Sequence, residues 1–339
     1  RLLMSGRERI RCKKATEIIF WGLHGYNSTI QYYQYAKKET MKKKIICLLL
    51  AVLCGLPVLG KWKANHVILI GLDGWGAYSV PKATNIPNLQ SLMRGGCYTL
   101  KKRSVLPSES AVNWYTMFCG ATPEMHGYTN WNSRVPEIPS MVLNEHGVFP
   151  TVFYELHRQY PKAVIGCLAE WDGIRYLVDT LSVNYEAVAS NYEKDSEQLC
   201  RMSEAYIKAQ KPNLLAVIFD QIDHTGHAIG HDTPAYYKTL SRVDGYIGRI
   251  IQALKDAGIY DDSIIIVTSD HGGIGKKHGG KLLVELEIPF IIFGKDIKNT
   301  GEFKETMMQF DTAATIADIF SLKMPQCWRG QSMKQVFKK

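Results

Sequence analysis

His66-Val-Ile-Leu-Ile-Gly-Leu-Asp73-Gly74 is the stretch whose reading decides the fold. Its apolar run is too short for an isolated helix and continuous enough for a strand buried on both faces, and it ends directly in an acid and a glycine. The arrangement recurs twice. Leu214-Leu-Ala-Val-Ile-Phe runs into Asp220-Gln-Ile-Asp223-His224-Thr-Gly-His227, and Ile264-Ile-Ile-Val-Thr-Ser runs into Asp270-His271-Gly272-Gly273. Two more Ile/Val-rich runs lie at 163–168 and 289–293. Helical patterns separate them: Pro87 to Arg94, stopped by Gly95-Gly96; 195–210; a segment capped by Thr233-Pro234, reaching Lys255 and ended by Gly258; and 310–320. This alternation predicts an α/β fold with a mostly parallel central sheet and helices on both faces.

Composition sets the limits of that reading. With 46% hydrophobic and 22% charged positions in 339 residues, the chain can bury a full core. Its 41 Lys/Arg and 32 Asp/Glu are unevenly placed: residues 1–60 hold 11 and 3 of them, leaving 30 against 29 in residues 61–339. The basic balance belongs to the leader and implies no nucleic-acid binding by the folded part. Met41-Lys-Lys-Lys followed by the apolar run 45–60 reads as a signal peptide, with cleavage near Gly60 behind Val58, and so predicts a secreted or periplasmic protein. A lipoprotein signal at Cys54 is disfavoured by bulky Leu53, and the run is short for a stable membrane span. Residues 1–40 precede the signal and read as a non-native upstream segment; 61–339 reads as one catalytic domain. Cys97, Cys119, Cys167, Cys200 and Cys327 lack CxxC spacing and sit largely in apolar runs, which predicts buried free thiols.

In an open parallel sheet, strand carboxyl ends form the ligand crevice, so Asp73, Asp223, His227, Asp270 and His271 should converge there, joined by His278 of a His278-Gly-Gly turn. Asp223-x-x-x-His227 carries a glycine that lets the backbone bend. Carboxylate and imidazole without thiolate suit zinc, and more than four donors indicate two Zn2+ ions. Two ions could clamp the attacking and leaving oxygens of a displacement at phosphorus. Pro107-Ser108-Glu109-Ser110 supplies a nucleophile at a helix start, with Ser108 read as the helix cap.

The ordered set of strand-Asp73-Gly, Pro-x-x-Ser110-x-x-Asn113, Pro123-Glu124-Met-His126-Gly127, Asp223-x-x-Gly-His227, Ser-Asp270-His271-Gly and His278-Gly resembles the alkaline phosphatase superfamily. It is most similar to the type I phosphodiesterase / nucleotide pyrophosphatase branch, over nearly all of 65–336. The resemblance implies that Asp73, Ser110, Asp270 and His271 hold one zinc and that Asp223, His227 and His278 hold the other. It further implies that Ser110 forms a phosphoseryl intermediate, that Asn113 contacts a phosphoryl oxygen, and that the substrate is a small phosphate ester or nucleotide-like molecule. Asp220 falls where the branch carries an acid that orients the site. The chain departs from the branch in having Ser110 where threonine is usual, which keeps a secreted phosphomonoesterase as the alternative. Against that alternative, the Asp-Ser-Ala tripeptide of the classical monoesterase is absent. Val112 and Trp114 stand where a sulfatase needs proline and arginine. A non-catalytic binding protein of the same fold is disfavoured, because every ligand position holds a competent side chain. His126 reads as a turn-fixing residue, His224 and His231 as neighbours of ligands, and Tyr128–Arg134 as a loop that could stack a base and hold a distal phosphate. The sequence names neither the natural leaving group nor an oligomeric state.

Overall fold

Strand β1 (His66–Leu72) lies in the middle of an eight-stranded sheet, with parallel neighbours on both sides. The structure, a computed structural model, describes residues 37–44, 61–189 and 196–338. The chain has two compact units, Arg1–Leu59 and Gly60–Lys339. In the first, the described residues 37–44 are helical. The expected signal peptide therefore lies outside the described residues apart from 41–44, as does the expected upstream segment apart from 37–40. Among the described residues no helix is long and apolar enough to cross a membrane.

In chain order, β1 is followed by α1 (Pro87–Gly95), β2 (Cys97–Arg103), α2 (Ser110–Cys119), α3 (Pro123–His126), α4 (Val152–Gln159), β3 (Ile165–Ala169) and β4 (Tyr185–Val188). Then come α5 (Glu197–Gln210), β5 (Leu214–Phe219), α6 (Gln221–Ala228), α7 (Pro234–Asp256), β6 (Ser263–Thr268), α8 (Leu283–Leu286), β7 (Glu287–Gly294), β8 (Gly301–Glu302) and α9 (Asp311–Ile319). The sheet order is β4-β3-β5-β1-β6-β7-β2-β8. It is parallel except where β7 runs antiparallel to β6 and β2.

Strand periodicity sorts the core. Val67, Leu69, Leu214, Ala216, Ile264 and Ile266 face α2, α4 and α9, while Ile68, Ile70, Leu215, Val217, Ile265 and Val267 face α1, α5 and α7. The expected α/β class and two-faced helix cover are what the chain adopts. Pro234 at the first turn and Thr233 Oγ1, which accepts from the Tyr236 N–H, start α7 as the sequence indicates. The strand β2 carries no apolar run because it lies near the sheet edge, where charged residues such as Lys101 face solvent. The five cysteines of the described residues are buried free thiols.

Candidate metal centre

Three parallel strands deliver their terminal acids to one edge: Asp73 after β1, Asp220 after β5 and Asp270 two residues beyond β6. Adjacent registers pair Leu72 with Phe219 and Gly71 with Thr268, and the Asp73 N–H donates to Phe219 O at 2.8 Å, so the three strand ends sit level. Asp223 and His227 lie one turn apart on α6, and Nε2 of His227 is 3.1 Å from Asp223 Oδ2. The motif is thus helical, not the glycine bend expected. Gly226 serves packing instead, because a Cβ there would meet the His231 ring at 2.3 Å. At Gly74 (φ +68°) the left-handed backbone brings β1 up against Asp223, whose Oδ1 lies 2.6 Å from where a side chain would begin.

Around His271 Nε2 lie Ser110 Oγ at 3.1 Å, Asp270 Oδ2 at 3.2 Å and Asp73 Oδ1 at 3.5 Å. Nε2 of His278 is 3.0 Å from His227 Nε2 and 4.0 Å from Asp223 Oδ2. All seven donors named in the sequence meet here. Two groups among them, Asp73/Asp270/His271 and Asp223/His271/His278, are spaced closely enough to hold a metal ion. The backbone also orients the rings. Nδ1 of His227, His271 and His278 is bonded to the carbonyls of Lys276 (3.1 Å), Gly272 (2.8 Å) and Ser108 (3.1 Å), which turns each Nε2 inward; the Asp223 carboxylate beside His227 holds that ring up to about 8.

Three buried carboxylate oxygens, Asp73 Oδ1, Asp223 Oδ1 and Asp270 Oδ2, have no hydrogen-bond donor. Burial, and then the other carboxylates, hold Asp73 and Asp270 well above the usual carboxylate range. At Asp223 burial pushes the same way but is outweighed by the His227 hydrogen bond and by the nearby His231 ring, so its carboxyl lies well below that range. Burial depresses His271 to about 4 and His278 to about 3, keeping both rings neutral as ligands must be. Buried acceptors without donors beside the neutral, inward-facing His271 and His278 rings fit divalent cations.

Several neighbours take roles that the sequence did not indicate. Asn113 is buried, its amide donating to the carbonyls of Val105, Pro107 and Glu109 at 3.1 Å and accepting from the Val105 N–H at 2.7 Å. It holds the loop ahead of Ser110 and offers no free donor to a phosphoryl group, which corrects the expected contact. Ser108 is not a helix cap. Its Oγ donates to Gly280 O and accepts from Gly279 N–H, tying the Ser110 loop to the His278 loop. Ser110 itself is the first residue of α2, whose Trp114 donates Nε1–H to Asp73 Oδ2 at 2.9 Å.

His126 fixes its turn as expected, bonded to Thr116 Oγ1 and accepting from the Tyr128 N–H. His231 is buried with Nε2 3.4 Å from Asp223 Oδ1. Asp220 faces the cleft, its carboxyl raised by burial and by Asp73, while Glu170 at the end of β3 binds the backbone of the turn at Asp220. The cleft, of about 350 Å³, is lined by Ser110, Asp220, Asp223, His224, His227 and His278, and by Trp131, Asn132, Arg134, Trp171 and Asp172. Asn132 was missed. A buried Oδ1 without a partner marks it in the structure, but an Asn in a polar loop carries no signal in one sequence.

The chain is similar to known proteins in sequence and in fold. Venom phosphodiesterase 2 of Crotalus adamanteus is 25% identical over 224 residues, 62% of this chain and 27% of the relative. Ectonucleotide pyrophosphatase/phosphodiesterase family member 5 of Homo sapiens is 24% identical over 218 residues, 61% of this chain and 45% of the relative. The chain thus spans about a quarter of the venom enzyme's length. Among solved structures, murine ectonucleotide pyrophosphatase / phosphodiesterase 5 superposes with a TM-score of 0.64 at 16% identity, covering 80% of this chain and 100% of that one. A 2-O GAG sulfatase superposes with a TM-score of 0.64 at 13% identity, covering 80% and 73%. These two share the fold. Residues 67–279, well over half of the sequence and including every candidate ligand, match the type I phosphodiesterase / nucleotide pyrophosphatase family, and the chain belongs to that family.

Proposed function

We propose that the protein is an exported two-zinc phosphodiesterase that works through a phosphoseryl intermediate on Ser110. The observation that carries this reading is the convergence of seven candidate ligands, three of them buried carboxylates with an oxygen that no hydrogen bond satisfies and three of them imidazoles turned inward. Asp73, Ser110, Asp270 and His271 would hold one ion and Asp223, His227 and His278 the other. When bound, zinc supplies Lewis-acid stabilisation of the attacking and leaving oxygens and lowers the pKa of a coordinated hydroxyl. Ser110, at the amino terminus of α2, attacks phosphorus, and the helix dipole favours the anionic group it receives. Ser110 Oγ, 3.1 Å from His271 Nε2, lies where it would share that ring's ion. The Asn132 amide, which lines the cleft with Ser110 and follows Trp131, whose carbonyl accepts from the Ala111 N–H at 3.1 Å, would donate to an equatorial phosphoryl oxygen.

Charge favours diesters over monoesters. Among the described residues lining the cleft Arg134 is the one Lys or Arg, and it is engaged by Asp172 (3.3 Å) and the Tyr176 hydroxyl (3.0 Å). A monoester dianion would find no free side-chain cation among them; a diester monoanion needs none. Trp131 and Trp171 offer apolar faces to the alcohol arm, consistent with a nucleotide-like or aryl ester. Export rests on the signal-peptide reading of 41–60, and fractionation of the producing cells tests it. The activity is tested by comparing turnover of bis-(p-nitrophenyl) phosphate with p-nitrophenyl phosphate on one zinc-loaded preparation. Preference for the diester is expected; preference for the monoester, or inertness toward both, overturns the reading.

A further inference from the structure

Glu170 is fully buried just beyond β3, and its position is built into the sheet edge. Its N–H donates to Ile218 O at 3.1 Å, continuing the β3–β5 ladder, and its Oε2 accepts the N–H groups of Asp220 at 2.6 Å and Gln221 at 3.3 Å. Those amides stand where α6 begins, among the first-turn donors that have no partner within a helix. Asp220, the residue ahead of α6, makes no side-chain cap of its own, so this capping comes from the neighbouring strand. Burying a carboxylate is costly, and burial holds this one at about 7, so a merely convenient cap would more cheaply be a serine or asparagine in the turn itself.

The helix that Glu170 caps has eight residues, two of which are Asp223 and His227. A helix that short has little stability of its own, and its placement depends on what grips its ends. Arg242 Nη2 adds a bond to Gln221 Oε1 at 2.9 Å, and His227 Nδ1 is fixed to Lys276 O at the far end. We infer that Glu170 is a positioning residue, a cap from the neighbouring strand that sets α6 so that Asp223 and His227 meet the same cation as His278. This rests on the two-ion reading above and adds to it that one half of the centre depends on a residue of β3, while the Asp73/Asp270/His271 half does not.

Zinc competition with a chromophoric chelator, read together with histidine imidazole NMR on the full chain, separates the two halves for wild type, Glu170→Ala and Glu170→Gln. In Glu170→Ala, zinc should bind about 10- to 100-fold more weakly at His227 and His278, with His271 reporting wild-type affinity. Saturating zinc should restore diester turnover. Glu170→Gln keeps one acceptor oxygen and should show a smaller shift in the same half, about 10-fold or less. Equal weakening in both halves, no weakening, or activity that zinc does not restore overturns the inference. If Glu170→Ala does not fold, Glu170→Gln decides by the same selectivity. A wild-type protein that takes up fewer than two zinc ions overturns the two-ion reading itself, an outcome visible before any variant is made.

Discussion

Asn113 and Asn132 are both amides near the nucleophile, and what their atoms already touch separates them. Asn113 makes four hydrogen bonds to its own loop, whereas Asn132 keeps a buried oxygen without a partner at the cleft wall. Asn113→Ala should therefore lower stability by about 1 to 3 kcal/mol, measured by denaturant unfolding, with kcat in the folded fraction little changed. Asn132→Ala should lower kcat about 100-fold or more with an unchanged melting temperature. Ser110→Ala should abolish turnover while zinc uptake, measured by metal analysis, stays near wild type. The convergence of the candidate ligands was legible because each strand-end acid and each glycine-flanked histidine has little structural reason to be where it is. The amide was not, because the sequence offered an Asn at the family-like spacing and nothing in one chain says which way a side chain turns.

At the scale of the element, short helices and turns carry the chemistry and show its sensitivity to acid. His126 sits in the buried turn after α3, where its Nδ1 accepts from Tyr128, and burial depresses its pKa from 6.5 to about 3. The folded ring is neutral while the unfolded ring takes up a proton below 6.5. Stability from this residue is thus complete above that pH and is lost as pH falls toward 3, by about 2 kcal/mol at pH 5. His126→Gln should flatten that acid limb in pH-dependent unfolding; an unchanged slope would refute it. In the same way Gly226→Ala, whose methyl would meet the His231 ring, should weaken zinc binding through Asp223. The long periodic helix α7 was readable from its Thr-Pro start, but α6 was taken for a bend. Its amphipathic pattern is only two turns long, and its glycine suggested flexibility where it provides room.

For the whole molecule, the sheet concentrates Asp73, Asp223 and Asp270 in one buried place, a repulsion that bound cations relieve. Zinc at 100 times its dissociation constant should stabilise the fold by about 2.7 kcal/mol per site, seen as a higher melting temperature that EDTA reverses. A melting temperature indifferent to zinc would contradict the centre. The overall class was legible because strands buried on both faces write continuous apolar runs, whereas β2, next to the edge strand β8, leaves no such trace, and the run of β7 does not reveal that it pairs antiparallel.

The bonds of Ser108 to Gly279 and Gly280, with its carbonyl on the His278 ring, join the segment holding the attacking hydroxyl to the segment holding an imidazole donor. The two segments should open and close as one cooperative unit, with amide protons on both sides exchanging at matched rates. A half-assembled pocket, armed with its hydroxyl but missing that imidazole, is then a conformation the protein hardly visits.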